Sequence, residues 1–358
     1  MHRRLLALAT TSLLALPFLP GAAHATYDAE YVFGDSLSDR GNLAETGVLQ
    51  LEAGQPITNY PSPPSNHDSF TNGPVAVQVV ASALGLNANP SLWVTGFQDV
   101  NNLFGGPAYT PGTNYAVAGA TAAASAQGGS PLINLPQQVG AYLTHAGGTA
   151  DPTALYTVFI GGNDVRDAAL QGTGAPAVAA GVSAELLAIQ ALAADGARNF
   201  LVPNVPNVGV IPEFAQQNPS LAAAATTYSQ LYDSELAAGL ASLALPAGTD
   251  VTQFDLYAFN ASIAANASAY GITNTTDPCF TATPLSAAAS PACGPNGANV
   301  NTFAYWDSIH PTAPVHAAWG GAFLQALGVV TPVPEPASFA LLGAGLAGAI
   351  AARRRRAG

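Results

Sequence analysis

The sequence predicts an α/β protein with three layers, in which a parallel sheet lies between two layers of helices. Short runs rich in β-branched and aromatic residues alternate with longer segments of helical composition. Such alternation is typical of a parallel sheet with helices on both faces. The chain has 358 residues, of which 49% are hydrophobic and 8% charged, so it is long and apolar enough to bury a large core.

Five strands and five helices are expected along the chain. The strands are expected at residues 31–33, 115–117, 156–160, 200–202 and 251–254. The helices are expected at residues 75–84, 135–145, 175–198, 221–243 and 314–327. Thr312 is expected to cap the last helix, and Pro314 is tolerated in its first turn. Five parallel strands favour a flavodoxin-like strand order, and no linker or repeat divides residues 26–330, which are expected to form one domain.

Residues 1–25 have the pattern of a secretory signal peptide. Two arginines precede an apolar run, and the segment finishes in Ala-His-Ala, after which cleavage would leave Thr26 as the first residue. The alternative is a buried N-terminal helix, in which Pro17 and Pro20 would interrupt the hydrogen bonding. The signal peptide predicts export from the cytoplasm.

The C-terminal segment, residues 331–358, combines Pro-Glu-Pro, an apolar stretch and four consecutive arginines. This pattern favours a short membrane span with a cytoplasmic tail. It also resembles the PEP-CTERM sorting signal of Gram-negative bacteria. The resemblance implies processing by an exosortase-type enzyme, transient association with the inner membrane, and a final place in the cell envelope, on the outer surface or in the extracellular matrix. A plain C-terminal anchor is the alternative.

The charge distribution limits the classes of partner. The chain has no lysine, and Arg40, Arg166 and Arg198 are the only arginines between the two terminal segments. These three cations stand against 20 acidic residues in the same region. Because so few cations cannot neutralise phosphates, the composition argues against nucleic acids and anionic membrane surfaces as partners. Uncharged ester substrates fit this body better.

Two cysteines, Cys279 and Cys293, lie in a region rich in proline, serine and alanine. In an exported protein such a pair predicts a disulfide, which would stabilise the fold by about 2–3 kcal/mol in the chain-entropy model. Two free thiols are the alternative. Zinc binding is disfavoured because too few cysteine or histidine residues lie nearby.

A Gly-Asp-Ser turn follows the first expected strand, in the sequence FGDSLSD at residues 33–39. In an open parallel sheet, ligands bind beyond the carboxyl ends of the strands, so Ser36 lies where chemistry is expected. Taken alone, the motif has an alternative interpretation, in which Asp35 and Ser36 only cap the next helix.

Three further short blocks follow in order, each in an expected loop. Gly119 lies in NYAVAGA at residues 114–120, Asn163 lies in IGGND, and Asp307 and His310 lie in WDSIHP. Together with Ser36, these blocks resemble the GDSL or SGNH hydrolase family over about residues 28–328.

The branch of bacterial lecithinase-like and plant-like GDSL lipases is more similar still. The matching features are GDSLSDRGN at residues 34–42, FTNGP at residues 70–74 and the cysteine-bearing loop before WDSIHPT. Ala118 departs from this branch, in which a second glycine is common at that position.

The resemblance implies an SGNH-hydrolase fold and a serine esterase or lipase activity. Ser36 is the implied nucleophile, His310 its base, and Asp307 the carboxylate that fixes the imidazole. The backbone N–H groups of Ser36 and Gly119 and the amide of Asn163 are the implied oxyanion-hole donors. Without the resemblance, Gly119 would be interpreted as a close-packing glycine, and Asn163 and Asp307 as turn residues. Neither a metal nor an organic cofactor is implied.

The expected substrates are carboxylic esters with aliphatic acyl chains, including lipid esters, cleaved through an acyl-enzyme on Ser36. One alternative is an esterase that removes acetyl groups from a polysaccharide. Another is a non-catalytic surface protein on the same fold, against which the complete residue set argues. Three histidines outside the blocks, His67, His145 and His316, are expected to have surface or packing roles. Asp39 and Asn42 are expected to order the turn after Ser36.

Overall fold

The protein is described here by a computed structural model that covers residues 27–43, 69–91, 112–123, 133–281 and 288–329. A parallel sheet with the order β1-β2-β3-β4 lies at its centre. Its strands are β1 (Glu30–Gly34), β2 (Leu155–Phe159), β3 (Asn199–Pro203) and β4 (Asp250–Phe254). The first three strands are almost fully buried, as helices on both faces require, whereas β4 is a partly exposed edge.

The expectation of a fifth strand at residues 115–117 was wrong. This segment still runs beside β1, because the Val32 carbonyl accepts the N–H of Tyr115 at 2.7 Å and the Gly34 carbonyl accepts that of Val117 at 3.1 Å. The ladder is reduced to an isolated parallel bridge at Asn114, whose side-chain oxygen accepts the Ala116 N–H and turns the chain. With this segment counted as an edge, the spatial order is the flavodoxin-like one that was predicted.

Seven helices of the described ranges flank the sheet. They are α1 (Ala76–Ala83), α2 (Leu135–His145), α3 (Gly162–Leu170), α4 (Gly174–Ala194), α5 (Pro219–Ser242), α6 (Leu256–Ala265) and α7 (Ala313–Ala326). One apolar cluster joins α2, α3, α4 and α5 to the sheet face that carries Tyr156 and Val158. A second cluster joins α1, α6 and α7 to the opposite face, with Leu155 and Phe159. The predicted three layers are therefore confirmed.

Helix α4 is the one helix of the described ranges whose length and apolar composition would suffice to cross a membrane. It packs against α3 and α5, and it buries Val178, Ile189 and Leu192. These contacts make it a core helix. The predicted signal peptide, residues 1–25, and the C-terminal segment, residues 331–358, lie outside the described residues.

Two small sheets are formed by the part of the chain that connects α6 to α7. Strand β5 (Asn274–Pro278) pairs in parallel with β8 (Phe303–Tyr305), and β6 (Phe280–Thr281) pairs with β7 (Ala288–Ala289). The predicted disulfide between Cys279 and Cys293 is present here, buried beside the rings of Phe280, Phe303 and Trp306. The N–H of Cys279 donates to the Tyr305 carbonyl at 3.0 Å, which connects the disulfide to the chain that leads to Asp307.

Candidate active site

Ser36 lies in the turn that directly follows β1. The Asp35 carbonyl accepts the N–H groups of Ser38 and Asp39 at 3.0 and 2.9 Å, and its carboxylate accepts that of Leu37 at 3.0 Å. Gly34 is required before the turn, because a Cβ at this position would collide with the carbonyl oxygen of Phe159 on the neighbouring strand. The turn thus fixes Ser36 at the carboxyl edge of the sheet.

The structure brings Ser36, His310 and Asp307 into one chain of hydrogen bonds. Ser36 Oγ lies 2.8 Å from His310 Nε2, and His310 Nδ1 lies 2.8 and 3.0 Å from the two carboxylate oxygens of Asp307. All three side chains are buried, with 8%, 7% and 5% exposure. This geometry allows the serine hydroxyl to donate to Nε2 while Nδ1–H donates to the carboxylate.

Asp307 also orders a turn, which is the alternative role that its sequence position suggested. Its Oδ1 accepts the N–H groups of Ile309 at 2.8 Å and His310 at 2.6 Å. Burial raises the pKa of Asp307, but the charge of His310 and these hydrogen bonds outweigh burial, so the pKa lies below its usual value. The carboxylate therefore stays ionised beside the imidazole.

Aromatic rings and the main chain hold the imidazole of His310. The ring of Phe70 lies 4.9 Å and that of Trp306 6.5 Å from it, measured between ring centroids. The Trp306 N–H donates to the His310 carbonyl at 2.7 Å. Thr312 takes the N-cap position of α7 as predicted, but its hydroxyl does not cap the helix and donates instead to the Phe303 carbonyl at 2.6 Å.

The residues predicted to form an oxyanion hole, Ser36, Gly119 and Asn163, retain free donors. Asn163 lies in the first turn of α3, and its amide donates one hydrogen to the Ala120 carbonyl at 2.8 Å, which orients the group and leaves its second hydrogen for a ligand. Within the described ranges, no protein group accepts the backbone N–H of Ser36 or Gly119. Gly119 has φ of +79°, a left-handed conformation that favours glycine.

Asp39 does more than order the turn after Ser36. It is fully buried, and one carboxylate oxygen accepts the N–H groups of Gly41 and Asn42, each at 2.8 Å. The other oxygen accepts those of Leu43 at 3.1 Å and Ala118 at 2.8 Å. Asp39 therefore ties the serine turn to the loop that presents Gly119, a contact across 79 residues that no local sequence pattern reveals.

Ser36 and Asn163 line a cavity of about 550 Å³ beyond the carboxyl edge of the sheet. Most of its other walls are apolar, formed by Val208, Ile211, Ala215, Ala261, Ile263, Val315 and Trp319, among others. Sequence analysis missed this wall because its residues come from the chain after β3, from α6 and from α7, and none of them belongs to a motif.

Arg166 is the positively charged side chain among the described residues that line this cavity, and an ion pair balances its charge. Its guanidinium donates to both carboxylate oxygens of Glu213, at 2.6 Å each. The Glu213 N–H donates to the Ser308 carbonyl at 2.9 Å, so the pair also joins α3 to the loop of His310. Because Glu213 already pairs with the guanidinium, the described residues that line the cavity offer no unpaired cation to a ligand.

The other histidines have the predicted surface or packing roles where the structure describes them. His316 is buried, its Nδ1 accepts the Ala76 N–H at 3.2 Å, and burial together with the charge of His310 lowers its pKa to about 3. His145 is exposed at the end of α2, and His67 lies outside the described residues. In the described ranges no three His, Cys, Asp or Glu side chains are grouped as metal ligands would be.

A doubly covered parallel sheet with a Ser-His-Asp array at its carboxyl edge defines the α/β class of serine hydrolase folds. The sequence pattern of the GDSL-like Lipase/Acylhydrolase family matches residues 31–323, and the chain therefore belongs to this family. A second pattern, the PEP-CTERM protein-sorting motif, matches residues 332–356. Both family resemblances seen in the sequence are confirmed.

Two curated relatives match part of the chain. An uncharacterized protein from the trpE-trpG intergenic region of Pseudomonas putida is 34% identical over 215 residues, which cover 55% of this chain and 32% of the relative. Lipase 1 of Photorhabdus luminescens is 33% identical over 199 residues, which cover 54% of this chain and 24% of that lipase. The matches thus span about a third and a quarter of these relatives.

The solved structures that match this chain are distant. A catalytic mutant of Axe2, an acetylxylan esterase from Geobacillus stearothermophilus, has a TM-score of 0.38 and 12% identity over 85% of this chain and 96% of that chain. LAE5, an alpha/beta hydrolase from the metagenome of Lake Arreo, has a TM-score of 0.40 and 13% identity, with 86% and 98% covered.

Proposed function

We propose that this protein is an exported serine ester hydrolase that forms an acyl-enzyme on Ser36. The observation that carries the proposal is the hydrogen-bonded array of Ser36, His310 and Asp307, whose Ser36 lines a largely apolar cavity. Membership in the GDSL-like lipase/acylhydrolase family supports the same reaction.

In the proposed reaction, Ser36 Oγ attacks the ester carbonyl carbon while His310 Nε2 takes the hydroxyl proton. Asp307 holds Nδ1–H and stabilises the imidazolium that forms. The backbone N–H groups of Ser36 and Gly119 and the free amide hydrogen of Asn163 would meet the negative oxygen of the tetrahedral intermediate. His310 then gives its proton to the leaving alcohol, which leaves the acyl group on Ser36. In the second half, His310 takes a proton from water, the water oxygen attacks the acyl carbon, and His310 returns the proton to Ser36 as the acid is released.

The cavity favours an aliphatic acyl chain as the group transferred to Ser36. Burial of each methylene group contributes about 0.8 kcal/mol, which a wall of valine, isoleucine and alanine can supply and open solvent cannot. An acetyl group would leave most of the cavity of about 550 Å³ unfilled. The polysaccharide O-acetyl esterase therefore remains the second candidate, and the complete hydrogen-bonded array argues against a non-catalytic surface protein.

We further propose the division of the chain into a signal peptide at residues 1–25, the hydrolase domain at residues 26–330, and a sorting segment at residues 331–358. The PEP-CTERM motif at residues 332–356 supports export with exosortase processing in a Gram-negative bacterium. Delivery to the envelope, outer surface or extracellular matrix follows from this proposal, with transient association of the C-terminal segment with the inner membrane.

Labelling with a fluorophosphonate, followed by hydrolysis of a panel of lipid esters and acetylated glycans, tests the function. The wild-type protein should be labelled on Ser36 and should prefer aliphatic esters, whereas Ser36→Ala should fold normally, escape labelling and lose turnover. His310→Ala should lose turnover to a similar extent, and the double variant should be no slower than either single one. Turnover retained by a folded Ser36→Ala variant would refute the assignment.

A further inference from the structure

The cavity that contains Ser36 has a neighbouring cleft of opposite character. This cleft, of about 450 Å³, lies at the carboxyl ends of β3 and β4. Its lining is mostly polar and includes Asn204, Gln230, Asp233, Gln253 and Asp255. Tyr257, in the first turn of α6, lines both the apolar cavity and the polar cleft. Tyr257 is therefore a residue that the two compartments share.

Tyr257 is held in this position by amide groups. The side-chain amides of Gln230 and Asn207 donate to its phenolic oxygen at 3.0 and 3.2 Å, respectively. Its backbone N–H donates to Asn204 Oδ1 at 3.1 Å. These contacts come from the chain that follows β3 and from α5, so Tyr257 is fixed to two separate parts of the fold.

The sheet sets the distance between Ser36 and Tyr257. Ser36 follows β1 and Tyr257 follows β4, which are three strand spacings apart in the sheet order. At about 4.8 Å per spacing, this separates the two residues by roughly 14 Å along the carboxyl edge. The lining of the cavity that contains both residues includes Val208, Ile211 and Ile263. An extended aliphatic chain attached to Ser36 can lie along this lining.

The acyl half of the ester suits this path better than the alcohol half. The leaving alcohol must receive its proton from His310 Nε2. The imidazole of His310 packs against Phe70, which is not among the residues that line the cavity, whereas Ile309 and Pro311 on either side of His310 are. Since the alcohol must depart on the side of His310 and Phe70, the cavity is left for the acyl chain.

We infer that Tyr257 closes the far end of the acyl cavity and sets the longest acyl chain that binds in extended form. The inference rests on the proposed function and adds its chain-length specificity. An ester whose acyl chain reaches the ring gains little from further methylene groups, because the next compartment is an open cleft lined mostly by polar residues.

The test measures kcat/KM for 4-nitrophenyl esters of increasing acyl length. In the wild-type protein, kcat/KM should rise about fourfold per methylene, the equivalent of about 0.8 kcal/mol, until the chain reaches Tyr257, and then stop rising. Tyr257→Ala should move this break to longer chains and raise the ratio of long-chain to short-chain kcat/KM. Tyr257→Phe keeps the ring and should keep the break.

Gln253→Ala is the matched control, since Gln253 is exposed and lines the polar cleft but not the apolar cavity. It should leave the whole profile unchanged. Thermal melting confirms that each variant is folded. A break at the same length in folded Tyr257→Ala, or a wild-type profile without a break, would overturn the inference while leaving the hydrolase intact. Absence of both labelling and ester turnover in the wild-type protein would instead overturn the proposed function, and this inference with it.

Discussion

At the scale of single residues, the proposed chemistry depends on donors and acceptors that are fixed before any substrate arrives. Asp307 is held by two backbone N–H groups, Asn163 by one carbonyl, and the serine turn by Asp35 and Asp39. Because these contacts exist in the free protein, little reorganisation is needed when charge develops in the reaction.

Asn163→Ala should lower kcat by roughly 10²- to 10³-fold, with a smaller change in KM, because it removes one donor to the developing oxyanion. Steady-state kinetics on a single 4-nitrophenyl ester measures both constants. Asn266→Ala, at an exposed position after α6, is the control and should leave both unchanged. An unaltered kcat in Asn163→Ala would remove this residue from the oxyanion hole.

Asp39→Asn should lower kcat by about tenfold, because an amide nitrogen cannot accept the N–H groups that one carboxylate oxygen now binds. The serine turn and the loop of Gly119 would then lose part of their connection, while the acyl cavity would keep its walls. Stability should also fall by about 1–3 kcal/mol, as for a buried donor left without its acceptor.

The rate of fluorophosphonate labelling separates a positioning role for Asp39 from general destabilisation. Labelling should slow in proportion to kcat at a temperature where the variant is fully folded, and KM should change less. Asp250→Asn, the same substitution at the exposed start of β4, should leave labelling unchanged. Equal labelling rates in Asp39→Asn and the wild-type protein would mean that Asp39 stabilises the fold without orienting the site.

At the scale of helices and strands, the sequence predicted those elements whose periodicity is strong. Four strands and helices α1, α2, α5 and α7 lie within three residues of their predicted ranges. Helix α3 was not predicted. It begins directly after Gly161, which has φ of +102°, and the two glycines at its start are more typical of a loop than of a helix. The predicted helix at residues 175–198 ends earlier, since Gly196 takes φ of +125°.

The site was more predictable than the cavity, for a physical reason. Ser36, Asn163 and His310 each follow a strand or precede a helix within a short motif, so local sequence reports their position. The cavity wall depends on how α6 and α7 pack over the sheet, which only long-range contacts determine. The same holds for Tyr257, which lies next to a polar cleft that no sequence pattern marks.

The disulfide belongs to this scale because it stabilises one loop and not the core. It is connected through Cys279 and Phe280 to the main chain at Tyr305 and Trp306, directly before Asp307. A Cys279→Ser, Cys293→Ser variant should fold, melt several degrees lower, and lose activity on heating before it loses secondary structure. The loss of stability should be about 3 kcal/mol at most.

Parallel heating curves by circular dichroism and by activity test the disulfide prediction. Cys279→Ala, Cys293→Ala serves as the matched control for any effect of buried serine hydroxyls, and it should behave in the same way. A bridged wild-type protein whose melting and activity are both indifferent to reductant would contradict the prediction.

At the scale of the whole molecule, the protein buries several carboxyl groups that neither contact the substrate nor transfer a proton in the proposed reaction. Burial is the largest cause in each case, and it raises the pKa of Asp35 and Asp39 to about 6, Asp164 to about 7, and Glu30 and Asp233 to about 8. Glu30 is fully buried in β1 and accepts one hydrogen bond, from Thr157 Oγ1 at 2.9 Å. The charged form of this group is thus poorly compensated.

A group whose pKa is raised by folding stabilises the folded state fully below its unfolded pKa, and this contribution is lost as pH rises through the folded pKa. For Glu30 the window runs from its ordinary value of 4.5 to about 8. Within it, each such group makes the free energy of unfolding fall by about 1.4 kcal/mol per pH unit as pH rises. Asp307 acts in the opposite sense, because its pKa is lowered, and its window lies below its ordinary value of 3.8.

The melting temperature should therefore rise when pH is lowered from 8 to 6. Glu30→Gln removes the charge and keeps an oxygen for Thr157. This variant should melt at a higher temperature than the wild-type protein at pH 8, and its melting temperature should depend less on pH. Asp250→Asn, at an exposed edge, should retain the wild-type slope. Thermal melting of the three proteins across this range measures the effect, and either a wild-type melting temperature that falls from pH 8 to 6 or an unchanged slope in Glu30→Gln would show that the buried carboxyl does not control it.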